Sequence, residues 1–150
     1  MIEARKQIIM VVEDSDDDYE ATERGLLRDG RLVNQLIRFE TGEAALDHLL
    51  CAADDGCADT NLVPGVILLD LNLPGKGGAE FLANIKKIPK LCRIPVVVLT
   101  TSGDPRDIQR CYDLGANTYI QKPVDLDRFF AAVGQLRDYW IDLAILPEGR

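Results

Sequence analysis

The chain has 150 residues, 47% hydrophobic and 28% charged, with a formal net charge of −8. That size and balance fit one soluble domain with a sizeable core. The acidity argues against nucleic-acid binding, because no basic stripe is available to neutralise phosphates. No apolar run reaches membrane-spanning length and no signal peptide is present, so a cytoplasmic protein without membrane contact is expected. Cys51, Cys57, Cys92 and Cys111 have no CxxC spacing and read as reduced thiols.

In chain order, the apolar run 8–12 is followed by Glu13 and Asp14, and then by Asp16, Asp17 and Asp18 in what reads as a helix start. A second run spans 33–39. Ala44, Ala45, Leu49 and Leu50 then recur at helical spacing, and His48 in this helix reads as structural or solvated. The segment 52–65 is polar and turn-rich and is expected to be a long surface loop. The runs 66–69 and 96–99 are continuously apolar, as strands buried on both faces should be. Between them, Phe81, Leu82, Ile85 and Ile88 share a helical face. Asp104-Pro105 reads as a helix cap followed by Pro at the first helical position, Ile108, Cys111 and Tyr112 as the inward face, and Gly115 as the helix end. Residues 118–120 form the last strand, and a final helix begins near Asp125. Five strand–helix units in this order predict an α/β fold with a doubly wound, five-stranded parallel sheet.

In such a sheet, ligands bind outside the carboxyl ends of the strands. Glu13, Asp14, Asp70, Thr100 and Lys122 all sit at strand ends and should therefore meet. Like charges about 4 Å apart repel by roughly 4 kcal/mol at an effective dielectric near 20, so the three carboxylates call for a cation. Mg²⁺ fits, because it prefers oxygen ligands and keeps waters beside one or two carboxylates. An EF-hand reading of the segment from Asp14 fails, since the required Gly position is Tyr19 and the closing Glu position is Gly25. Asp16, Asp17 and Asp18 read instead as a solvated helix start that complements the macrodipole. Asp70, in LLDLNLPG, is placed to act as a carboxylate nucleophile toward phosphorus, although alone it reads as a turn cap. Lys122 would meet phosphoryl oxygens as a point charge and Thr100 would donate a hydroxyl, although alone each reads as a surface Lys and a strand Thr.

The ordered set of Glu13-Asp14, LLDLNLPG with Asp70, VVVLTT with Thr100, Tyr119 and Lys122-Pro123 resembles the receiver domain of bacterial response regulators. The resemblance covers about residues 7–136 and implies a flavodoxin-like fold. The loop before Val66 and the apolar extension past Leu136 resemble the single-domain regulators that serve phytochromes. The resemblance implies that Asp70 accepts a phosphoryl group from a sensor histidine kinase of the phytochrome type. It implies that Asp14 binds Mg²⁺ directly, Glu13 through water and Asn72 through its backbone carbonyl. Thr100 and Lys122 would bind phosphoryl oxygens, Tyr119 would change position on activation, and Asn72 and Ser102 would tune hydrolysis. It also implies a cis Lys122–Pro123 bond. Such a protein is a signalling switch and not a turnover enzyme. Two alternatives stand beside it: a Mg²⁺-dependent phosphatase with an Asp nucleophile, disfavoured because its second acid position is Asn72, and a receiver-like scaffold that is not phosphorylated.

The final helix keeps an apolar stripe through Leu126, Phe129, Phe130, Val133, Leu136, Trp140 and Leu143. Residues 1–150 read as one domain, with 137–150 as an extension. A core should need only the first half of the stripe, leaving Tyr139, Trp140, Ile141, Leu143, Ile145 and Leu146 facing water. The expected consequence is a homodimer through the final helix and tail, with output by protein contact and no DNA binding; the alternative is a tail folded back on its own domain.

Overall fold

A computed structural model describes residues 8–27, 35–54, 63–75 and 77–143, with 141–143 described by backbone alone. Strands β1 (Ile9–Val12), β2 (Leu36–Phe39), β3 (Val66–Leu69), β4 (Val96–Thr100) and β5 (Thr118–Gln121) alternate with helices α1 (Asp16–Leu27), α2 (Gly42–Ala53), α3 (Gly77–Lys87), α4 (Pro105–Asp113) and α5 (Leu126–Arg137). A π-helical turn, Asp138–Leu143, follows α5. The sheet is entirely parallel, in the order β2-β1-β3-β4-β5. The chain moves outward from β1 to β2 and then crosses back to β3, so the winding reverses beside β1 and a crevice opens at the strand ends there. This is the expected doubly wound, flavodoxin-like α/β fold.

Strand alternation divides the core between two faces. Met10, Val12, Ile67, Leu69, Val96 and Val98 pack against α2, α3 and Cys111 of α4. Ile9, Val11, Val66, Leu68, Val97 and Leu99 pack against Leu26 of α1 and Phe129, Val133 and Leu136 of α5. Local signals start the helices: Thr41 accepts from the Ala44 N–H, Asp104 from the Arg106 N–H and Asp125 from the Arg128 N–H. Gly115 ends the α4 segment with φ +104°, a conformation open to Gly. Arg137 is buried, and its guanidinium donates to the Leu26 carbonyl at 3.1 Å, where α1 ends.

The helices α1 and α5 approach closely because position 25 is Gly. A Cβ there would lie 2.8 Å from Val133 Cβ. Gly25→Val is therefore expected to lower stability by about 1–3 kcal/mol through overpacking. A denaturation midpoint equal to the parent's would contradict this reading of the α1–α5 contact.

The sequence expectations need four corrections here. The second strand begins at Leu36, and 33–34 lie outside the described residues. In α2, Ala45 and Leu49 are buried but Ala44 and Leu50 are exposed, because each sits about 100° further round the helix from a buried neighbour. Tyr112 faces out of α4, leaving Cys111 as its buried residue. At the C-terminus, Tyr139 is exposed as expected and so is Leu126, but Trp140 packs beside Ile9, Leu26, Val66 and Leu136. The wider π turn brings it back onto the apolar lower rim of β1 and β3, so at Trp140 the chain folds onto its own domain. The side chains of Ile141 and Leu143, residues 144–150, and 55–62 of the long loop with Cys57 lie outside the described residues.

Candidate functional site

Five of the expected site residues sit at the C-terminal ends of strands. Glu13 and Asp14 follow β1, Asp70 follows β3, Thr100 ends β4 and Lys122 follows β5. The ladder continues past the strands: Glu13 N–H donates to the Phe39 carbonyl at 2.9 Å, Asp70 N–H to the Val12 carbonyl at 3.1 Å and Lys122 N–H to the Thr100 carbonyl at 2.6 Å. These bonds fix the backbone from which the side chains converge. Carboxylate oxygens of Glu13, Asp14 and Asp70 all lie within 4.8 Å of one another.

Lys122 Nζ sits among these acids, 2.7 Å from Glu13 Oε1, 3.2 Å from Asp18 Oδ2 and 3.6 Å from Asp70 Oδ2. Its side chain is 6% exposed. Burial alone would lower its pKa, but the Glu13, Asp70 and Asp18 carboxylates outweigh burial and raise it. Burial pushes the Glu13 carboxyl up to about 7, with Asp70 adding to the rise and Lys122 opposing it. Ionised, the three carboxylates Glu13, Asp14 and Asp70 exceed the single ammonium by two charges, a donor set of hard oxygens suited to a divalent cation.

The Lys122–Pro123 bond is trans, against the cis bond expected from the resemblance; no described peptide bond is cis. The trans isomer is the intrinsic preference by about 0.5–1 kcal/mol, and here it already delivers Lys122 to Glu13.

Two further parts complete the site. Asn72 N–H donates to Asp70 Oδ1 at 3.2 Å, which turns the chain after β3. The start of α3 then approaches so closely that a methyl at Gly78 would overlap the Asp70 carbonyl oxygen. On the β4–β5 side, Thr100 is fully buried, and Ser102 N–H lies 3.5 Å from its hydroxyl. Tyr119 Oη donates to the Ser102 carbonyl at 2.7 Å, and Ser102 Oγ to Asp107 of α4 at 2.6 Å. Thr100, Tyr119 and α4 are thus joined through Ser102.

All seven site residues expected from sequence come together or connect in this way. Sequence reading missed Asp18, Arg38 and Gly78. Arg38 Nε donates to the Glu13 carbonyl at 3.1 Å, its NH1 pairs with Asp16 at 2.8 Å, and the guanidinium lies 4.7 Å from the Tyr19 ring centroid. Its signal was an Arg inside the apolar strand LIRF; that of Gly78 was the Gly-Gly pair opening α3. His48, expected to be structural or solvated, rests against the Phe39 ring at 5.1 Å. Cys92 and Cys111 are thiols and not disulfides, as expected. No helix among the described residues is long and apolar enough to cross a membrane.

Comparison with known proteins fits this geometry. The model of the response regulator receiver domain matches residues 9–134. Response regulator Rcp1 of Synechocystis sp. is 38% identical over 141 residues, covering 94% of this chain and 93% of Rcp1. Among solved structures, the phosphorylated cyanobacterial phytochrome response regulator RcpA has a TM-score of 0.85 at 36% identity, covering 96% of this chain and 100% of RcpA. The Mn²⁺-bound form of Rcp1 has a TM-score of 0.82 at 38% identity, covering 94% of this chain and 99% of Rcp1. With a family model matched over residues 9–134 and relatives at 36% and 38% identity covered over nearly their whole length, the chain belongs to the receiver domain family of two-component response regulators.

Proposed function

We propose that this receiver is a cytoplasmic phosphorylation switch that accepts a phosphoryl group on Asp70 from a phosphohistidine of a sensor kinase. The observation that carries the reading is the placement of the buried Lys122 ammonium within reach of both Glu13 and Asp70 in the crevice. In the transfer, an Asp70 carboxylate oxygen bonds to phosphorus as the P–N bond of the phosphohistidine breaks. The bonding pair leaves with the imidazole nitrogen, and the ionised Asp70 has no proton to lose. Lys122 and the Thr100 hydroxyl receive the phosphoryl oxygens. Asp14 and Asp70, with the Asn72 backbone carbonyl and with Glu13 acting through water, are the groups we assign to Mg²⁺. When bound, the ion neutralises charge that would otherwise repel the incoming phosphoryl group. The Mn²⁺ held by Rcp1 supports a divalent ion here.

Once Asp70 is phosphorylated, we assign to Thr100 a shift toward the new oxygens. Ser102 passes that shift to Tyr119 and α4 through the bonds described above. The output is a change in protein contacts, without DNA binding. The kinase is of the phytochrome type on this reading, supported by the likeness to RcpA, a cyanobacterial phytochrome response regulator, and to AtBRR, a bacteriophytochrome response regulator. A phytochrome-type kinase autophosphorylated with labelled ATP should pass label to this chain in the presence of Mg²⁺. Label that stays on the kinase would count against the pairing. Steady hydrolysis of free phosphomonoesters would favour the phosphatase alternative, which Asn72 at the second acid position disfavours.

The exposed face around β5 and α5 is our candidate for self-association, narrowed by the partial burial of Trp140. Thr118 and Ile120 on the edge strand β5 lie beside Ala132 of α5 and the half-exposed Tyr139. A two-fold dimer would cover this edge. Sedimentation should show a dimer at micromolar concentration, weakened at least tenfold by Tyr139→Glu. A parent that sediments as a monomer in both phosphorylation states removes the dimer from the mechanism.

A further inference from the structure

The contact between Asp18 and Lys122 has no part in the roles assigned above. Asp18 is the third residue of α1. Its N–H donates to Ser15 Oγ at 3.2 Å, and Thr22 Oγ1 donates to its carbonyl at 2.9 Å, so its backbone is fixed from both sides. In a capping box, the acid at the third helical position reaches back to the N–H of the cap residue. Here that Ser15 N–H bonds to Glu13 Oε2 at 3.3 Å. The Asp18 carboxylate turns instead to Lys122 Nζ, 3.2 Å away. Glu13 is nearer to the ammonium at 2.7 Å, and Asp70 is the furthest of the three at 3.6 Å. The Asp18 side chain is 47% exposed, whereas that of Lys122 is nearly buried, so this third contact is a light one on a confined group.

We propose that Asp18 is a positioning residue that retains the Lys122 ammonium on the α1 side of the crevice, in competition with the phosphoryl group. The inference rests on Asp70 being the acceptor. An ammonium has three donors, and each one engaged by a carboxylate must be surrendered before it meets a phosphoryl oxygen. Asp18 therefore raises the donor concentration needed to charge the switch. Removing its charge frees Lys122 for the incoming oxygens while leaving Glu13 to hold the side chain. A half-exposed ion pair is the right size for an adjustable hold, corresponding to about a two- to fivefold change in an equilibrium.

The test uses the full chain, acetyl phosphate and Mg²⁺, with Asp18→Asn and Asp18→Glu. Asp18→Asn should lower the half-saturating acetyl phosphate concentration about two- to fivefold. Asp18→Glu, which keeps the charge, should stay close to the parent. Damage to the fold would weaken phosphorylation in both variants and cannot produce this split. A half-saturating concentration that is unchanged or raised in Asp18→Asn overturns the inference. An independent readout is the Lys122 ammonium resonance in ¹⁵N-labelled, metal-free protein, which should move or broaden in Asp18→Asn. An unmoved resonance also overturns the hold, whatever the kinetics. If the parent takes no phosphate while the resonance moves, the acceptor role of Asp70 falls and the hold on Lys122 stands.

Discussion

Asp70→Asn is expected to abolish phosphate uptake from acetyl phosphate, read as loss of the shifted band on a phosphate-affinity gel. The substitution removes the nucleophilic oxygen pair but little else. An amide keeps an oxygen able to accept the Asn72 N–H, the bond that Asp70 Oδ1 now makes at 3.2 Å. It also keeps the volume of a side chain that is almost wholly buried. The fold should therefore survive, and its metal-free melting temperature should rise. The reason is electrostatic: Asp70 contributes to the rise of the Glu13 carboxyl toward 7, so deleting its charge relieves repulsion in a buried cluster. The pairing of outcomes is diagnostic. Loss of phosphorylation with a raised melting temperature identifies a functional carboxylate that costs stability. Loss with a lowered melting temperature would mean only that the domain had been damaged. A normal gel shift in the variant would remove Asp70 from the acceptor role.

The strands were the most legible part of the chain because their signal is local. Runs such as 66–69 and 96–99 are apolar without alternation, which only a strand covered on both faces requires. Once the strands are in order, the site follows from topology, since residues after β1, β3, β4 and β5 share one crevice. What stayed hidden depends on side chains that reach across elements. Asp18 carries the same sequence signal as Asp16 and Asp17, an acid in the first turn of a helix. Only the depth of Lys122 separates it from them. Arg38 pairs with Asp16 and the Glu13 carbonyl from an adjacent strand, a contact set by register and not by spacing. The C-terminal stripe misled at Trp140 for a related reason. Period alone places Trp140 on the apolar face but cannot say that a π turn carries it onto its own domain's lower rim. The cis bond expected at Pro123 came from family resemblance and not from any local steric demand, and the trans chain reaches the same place.

The stability of the metal-free domain should fall as pH rises through neutrality, and Mg²⁺ should cancel the fall. Burial sets the Glu13 carboxyl at about 7 in the folded protein, above its ordinary 4.5. Between these values the folded state binds the proton more tightly than the unfolded chain does. The stabilisation from protonated Glu13 is therefore fully present below about 4.5 and is lost as pH climbs through about 7. Its upper bound is about 3 kcal/mol, worth several degrees of melting temperature in a domain of this size. Lys122 adds nothing in this window, because its pKa is raised from an already basic value. A divalent ion binds the ionised carboxylates, so its stabilisation should grow over the same range, reaching about 2.7 kcal/mol at a hundredfold excess over its dissociation constant. Melting curves from pH 5 to 8 should then diverge, falling without Mg²⁺ and staying level with it. Asp14→Asn removes one assigned ligand and one repelling charge. It should raise the metal-free curve, shrink the response to Mg²⁺ and prevent phosphorylation. Calorimetric titration would decide the point at pH 8, where Glu13 is ionised. Equal Mg²⁺ binding by parent and Asp14→Asn would exclude Asp14 as a ligand, and a metal-free stability that rises between pH 5 and 8 would mean that Glu13 is not the group holding the proton.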